Sequence, residues 1–117
     1  MENNLEFGEV KISKEVVSSI VAIAIEETEG AKVHTPSLVD KVISKNQPSI
    51  KIDIENEGKV YINANIELPY GSNLIEVSNK VQNNIYDNLD IMTSLEIKEI
   101  NITVSSLYFK QTEQTNN

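Results

Sequence analysis

The residues that could carry out chemistry are acidic, and they are paired only along the sequence. Asp53 and Glu55 lie two positions apart, and Asp87 and Asp90 lie three apart. Paired carboxylates catalyse hydrolysis when they face each other across a dry cleft. The apolar residues around them recur with periods that turn all four side chains outward. The sequence therefore favours solvated positions over a catalytic pair.

A second acidic group precedes the only histidine. Glu26, Glu27 and Glu29 lie shortly before His34, and together they could bind a metal or a small molecule. Zinc sites use three or four ligands, usually cysteines or several histidines, and this chain has no cysteine. We predict a surface or loop position for His34, a solvated helix end for the glutamates, and neither metal nor cofactor.

Other catalytic and binding patterns are missing from the sequence. No glycine-rich loop precedes a helix to cradle a phosphate, and no serine has a histidine-linked triad pattern. The net charge is −8, and all ten basic residues are lysines. Nucleic acid and anionic lipid are bound through basic residues. We therefore expect no enzyme activity, no nucleic acid and no direct docking on a membrane.

The chain also lacks the signals of export and membrane insertion. Its first residues have neither a basic region nor an apolar one, unlike a signal peptide. The longest apolar run, Ile20–Ile25, is far shorter than the roughly 20 residues that span a bilayer. These features predict a cytoplasmic protein without membrane insertion.

The strongest structural pattern lies in the C-terminal half. Residues 69–72 (Pro-Tyr-Gly-Ser) predict a turn, and either Asn73 or Ser72 would cap a following amphipathic helix over 73–91. Residues 95–105 then alternate as a strand. Ile97 and Ile100 are out of phase by one residue, which predicts a β-bulge at Lys98-Glu99.

The N-terminal half predicts one more long helix and several strands. The helix begins after its cap, Ser13, carries a broad apolar arc that indicates burial on two sides, and ends near Gly30. Gly58 suits the left-handed position of a hairpin loop. The remaining predicted elements are short strands at 10–12 and 31–34, a helix at 38–43, and hairpin strands at 49–55 and 59–68.

These elements predict an α+β fold with two layers. A small, mostly antiparallel or mixed sheet carries two long helices on one face. We expect one domain over residues 8–109, between disordered segments at 1–7 and 110–117. The helical crossover makes the last strand parallel to 59–68, and it pairs either with that strand or with 49–55.

One set of residues resembles a known family. The matching positions, which span residues 8–109, are Gly8-Glu9-Val10-Lys11-Ile12-Ser13, Glu15-Val16-Val17, Glu29-Gly30-Ala31, Tyr70-Gly71, Glu76-Val77, Val81-Gln82, Met92-Thr93, Leu95 and Asn101-Ile102. This pattern resembles the alkaline shock protein family, the Asp/Gls envelope stress response family of Gram-positive bacteria. Ser94 departs from it, because members usually have Gly after Met-Thr. Either the turn there is less tight, or Ser94 adopts a conformation that glycine adopts at lower cost.

The resemblance implies a non-enzymatic, cytosolic protein of the cell-envelope stress response that acts as an adaptor or scaffold. Some members are held at the inner face of the membrane by a small anchor protein, so a protein partner of this kind, or self-association, is implied here. The alternatives are a regulatory module that binds a metabolic enzyme and the metal or small-molecule protein considered above.

The predicted contact surface is the outward face of the sheet together with the aromatic end of the last strand. The outward face, which includes Ser105, is either a docking surface or simply solvated, and the end of the strand either closes the core or is an exposed anchor. The predicted interaction residues are Tyr61, Asn63, Asn65, Asn101, Thr103, Tyr108 and Phe109.

Overall fold

The computed structural model describes residues 7–36 and 48–110. The predicted helix at 38–43, the first six residues and the tail at 111–117 lie outside the described residues. The elements are α1 (Lys14–Glu27), β1 (Lys32–Val33), β2 (Ile50–Glu55), a 3₁₀ turn (Asn56–Gly58), β3 (Lys59–Pro69), α2 (Leu74–Met92) and β4 (Glu96–Tyr108). These elements confirm the α+β fold, whereas the domain limits stay a prediction.

Helix α1 begins as its sequence predicts and ends slightly earlier. The Ser13 side chain accepts a hydrogen bond from the Val16 amide, 3.2 Å away. The helix stops at Thr28, so Gly30 lies in the following turn, at φ +88°. The predicted strand at residues 10–12 is wrong, since this segment has no regular structure and the Val10 side chain faces solvent. Two alternating apolar residues are too few to hold a strand without a paired neighbour.

The hairpin and the second helix follow local signals. Gly58 has φ +73° as predicted, and Glu57 also adopts a positive φ, +69°. The sequence left either Ser72 or Asn73 as the cap of α2, and the cap is Asn73. Its side-chain oxygen accepts the Glu76 amide at 3.1 Å.

Strand β3 is the centre of a mixed sheet. β1 and β2 pair antiparallel with successive parts of β3, and β4 pairs parallel with β3 along its whole length. Because a strand has only two edges, β1 and β2 share one edge and β4 takes the other. The last strand therefore pairs with β3 rather than with β2. Lys98 has no partner in this register, which confirms the predicted bulge. A second bulge falls at Ser105, so Ser106 rather than the predicted Ser105 lies beside Glu67 on the outward face.

The core lies between the sheet and the two helices. Alternate residues of β3, from Val60 to Leu68, are buried against Val17 and Val21 of α1 and Val81 and Ile85 of α2. Helix α1 packs against both the sheet and α2. Its predicted arc is wider than the buried surface, however, because Val16 and Ile23 are 47% and 62% exposed.

Candidate functional site

The site with the best physical basis is the sheet face opposite the helices, called the open face below. Its residues are those whose strand neighbours point into the core, so their own side chains project away from it. No described helix covers it. Its members are Lys32, His34, Lys51, Asp53, Tyr61, Asn63, Asn65, Glu67, Glu99, Asn101, Thr103, Ser106 and Tyr108.

The sheet brings five predicted residues into one uncharged strip. The parallel register sets Asn63 beside Asn101 and Asn65 beside Thr103. Tyr61 lies two residues before Asn63, on the same face of β3. Asn63, Asn101 and Thr103 are exposed, whereas Tyr61 and Asn65 are half-buried. The strip presents amides and hydroxyls without a formal charge, although the chain carries −8 overall.

Charged residues border this strip along β2 and at its Tyr61 end. Tyr61 lies between Asp53 of β2 and Glu99 of β4, and Lys51 lies beside Asn63. Acidic and basic groups are therefore mixed along the border, with no concentrated positive patch. This arrangement suits a protein partner better than a phosphate backbone, which needs clustered cations.

Tyr108 is fixed at one end of the open face. Its hydroxyl donates to the Gly30 carbonyl at 2.7 Å, and the Lys32 ammonium lies 4.2 Å from the centre of its ring. Its backbone carbonyl accepts the Tyr70 amide at 2.7 Å. Between the two roles that the sequence left open, Tyr108 therefore closes this end of the sheet.

Phe109, in contrast, is exposed. Its side chain is 81% exposed, and its ring meets Tyr70 edge to face with centroids 5.3 Å apart. Tyr70 is itself 60% exposed. The structure thus places Phe109 in an aromatic pair beyond the end of β4, apart from the five-residue strip.

A half-buried polar cluster lies beside Tyr108, and sequence reasoning missed it. The Glu67 carboxylate is 3.1 Å from His34 Nδ1 and accepts the Thr35 amide at 3.0 Å. The Ser106 hydroxyl lies 3.3 Å from the same histidine nitrogen. Only about a fifth of the His34 side chain is exposed. His34 therefore follows β1 directly and lies half-buried at the sheet face, within this polar cluster.

The His34 cluster contains a serine, a histidine and an acid, but their geometry is not that of a nucleophilic relay. In a triad the acid bonds one ring nitrogen and the serine bonds the other. Here both Glu67 and Ser106 lie on Nδ1. The cluster instead joins β1, β3 and β4, because each of its three members comes from or next to a different strand.

The acidic residues considered first are separated by the fold. Asp53 and Glu55 are on β2, whereas Asp87 and Asp90 are exposed on α2, on the other side of the sheet. Glu27 accepts a hydrogen bond from Asn88 of α2 at 3.2 Å, far from the strand face that holds His34. Within residues 7–36 and 48–110, no three His, Asp or Glu side chains are placed to hold a metal ion.

The fold and the site define a small α+β protein with a polar sheet face that neither described helix covers. Over residues 2–109 the chain matches the alkaline shock protein 23 family, whose description is a cell envelope-related function. The protein belongs to this family, as its sequence pattern indicated.

A curated relative gives a second comparison. The uncharacterized protein YqhY of Bacillus subtilis (strain 168) is 30% identical over 107 residues, which cover 87% of this chain and 78% of that protein. No solved structure matches significantly. Neither α1 nor α2 is long and apolar enough to cross a membrane.

Proposed function

We propose that this protein is a non-enzymatic adaptor of the cell envelope that binds a protein partner through the open face. The observation that carries the proposal is the uncharged strip, which has charged residues along β2 and at its Tyr61 end. Protein interfaces have this anatomy, with a core depleted of charged residues and a polar rim. Membership of a family with a cell envelope-related function supports the same direction.

The partner in this proposal is a small membrane protein that holds the adaptor at the inner face of the membrane. A partner is needed for that location because neither described helix could span the bilayer and because the chain carries −8. An acidic surface is repelled by anionic lipid. Tyr61 would supply an aromatic anchor, a residue type enriched at energetically important contacts.

Site-specific photo-crosslinking in the native host tests the proposal. The crosslinker replaces Asn63 or Thr103 on the open face and, as a matched control, Asn83 on the exposed side of α2. Membrane and cytosolic fractions are then analysed separately. We expect one small membrane protein to be crosslinked from the open face, and not from position 83.

Two other results would redirect the proposal. A cytosolic enzyme crosslinked from the open face would make the protein a regulatory module. Equal crosslinking from the open face and from position 83 would show that the uncharged strip is not the contact surface. The substitution Asn63→Lys provides a second check. Its charge in the strip should abolish capture of the partner, and the fold should stay intact because position 63 is exposed.

A further inference from the structure

Within the described residues, strand β4 pairs along one edge only. It runs for 13 residues and pairs with β3 on one side only. No other strand of the described ranges pairs with it. A long strand edge presents free amide and carbonyl groups, and so offers a template for another strand.

The edge is protected at its start, up to Ile100, and again at the second bulge, Ser105, but not at residues 101–104. Its first residues include Glu96, Lys98 and Glu99 and the first bulge, and the Gln82 amide donates to the Ile100 carbonyl at 2.9 Å. Charges and bulges are the usual means of preventing edge pairing. Residues 100–108, in contrast, contain no charge and no proline, in a chain that carries −8.

The apolar side of β4 is also incompletely covered. No side chain of Ile100, Ile102 or Val104 is fully buried, whereas the residues beside them on β3, such as Ile62 and Ile66, have no exposed surface. A strand added at this edge, with the helix that accompanies it, would cover the remainder. The unpaired backbone and the half-covered side chains thus fall on the same strand.

We propose that β4 pairs edge to edge, antiparallel, with β4 of a second copy of this chain. Residues 99–104 form a regular segment between the two bulges. A two-fold axis at Ile102 sets Asn101 opposite Thr103 and Ile100 opposite Val104. Each pair then has both side chains on the same face of the sheet, as an antiparallel ladder requires.

The charge pattern selects this occupant and this direction. Antiparallel pairing sets the charged start of one β4 opposite the uncharged end of the other, and brings Lys110 of one copy toward Glu96 of its partner. Parallel pairing would place Glu96 against Glu96 and Lys98 against Lys98, and like charges directly opposite are destabilising. The proposed interface uses the edge of β4 and not the open face. It can therefore form whether or not the open face binds a partner.

Charge substitutions at the paired positions test the interface and its register together. In a dimer of N101K/T103K, two pairs of lysines face each other across the axis. In a dimer of N101K/T103E, each lysine faces a glutamate of the other copy. Both positions are exposed. By sedimentation analysis of the full chain, we expect a wild-type dimer, dimerisation weakened about tenfold in N101K/T103K, and recovery in N101K/T103E. A monomeric wild type, or a dimer equally stable in both variants, would overturn the proposal.

A cysteine at the axis gives an independent readout, because the chain has no cysteine of its own. Antiparallel partners have Cα atoms about 4.5–5.5 Å apart, within the range of a disulfide. We expect Ile102→Cys to form a covalent dimer under mild oxidation, and Lys51→Cys on the opposite edge strand, β2, to remain monomeric. Crosslinking at position 51 without crosslinking at 102 would place the interface on β2 and refute the β4 assignment.

Discussion

Gly30 occupies a position where a single methyl group should be costly, and Gly71 provides a matched control. Both residues have a positive φ, +88° and +96°. A residue with a Cβ atom pays about 1–2 kcal/mol in the left-handed region. A Cβ atom on Gly30 would also lie 3.2 and 3.3 Å from the Pro69 ring, whereas one on Gly71 would meet nothing within 4 Å. Pro69 is buried, so its ring has little room to move.

We therefore expect Gly71→Ala to lower the free energy of unfolding by about 1–2 kcal/mol through the backbone alone. Gly30→Ala should lower it by about 2–3 kcal/mol, because overpacking adds about 1 kcal/mol or more. Urea unfolding followed by circular dichroism measures both, and an unchanged m-value keeps the comparison valid. Equal losses would refute the contact with Pro69, and no loss at Gly71 would refute the backbone argument.

Three further predictions can be checked in the same unfolding assay. Asn73→Ala removes the cap of α2 and should cost about 1 kcal/mol, whereas Asn79→Ala inside the same helix should cost nothing; equal effects would contradict the cap. Ser78 Oγ is buried without a hydrogen-bond partner among the described residues, so Ser78→Ala should stabilise by about 0.5–1 kcal/mol, and a loss would reveal a hidden partner. A double-mutant cycle of His34→Ala and Glu67→Ala should give a coupling of about 1 kcal/mol, and zero coupling would contradict their contact.

Local signals in the sequence were sufficient for the helix starts and the hairpin. Ser13 and Asn73 accept the capping bonds that their residue types favour, and Gly58 has the positive φ expected of it. Each of these features depends on atoms within four residues of one another. The short strand at residues 10–12 was wrong for the opposite reason, because a strand needs a partner that local alternation does not supply.

The contacts that shape the site are long-range, and the sequence could not provide them. His34 lies 33 residues from Glu67 and 72 from Ser106 along the chain. Their meeting depends on β1 and β2 sharing one edge of β3, which no periodicity encodes. The uncharged strip was easier to predict, since alternation alone turned Asn63 and Asn101 outward, and only the pairing of β3 with β4 was needed to bring them together.

The two bulges of β4 link the composition of the open face to the availability of the strand edge. The first, at Lys98, turns Asn101 and Thr103 outward and ends the charged part of the strand. The second, at Ser105, turns Ser106 toward His34 and sets Leu107 beside Leu68, where it is 50% exposed. Its signal was present in the sequence, because Val104 and Leu107 are three residues apart, the same spacing as Ile97 and Ile100 that revealed the first bulge. Residues 100–104, which lie between the bulges, are therefore the part of β4 that presents an uncharged edge and an uncharged face together. A β4–β4 pair would join two open faces into one continuous surface, so the proposed interface would double the docking face without covering it.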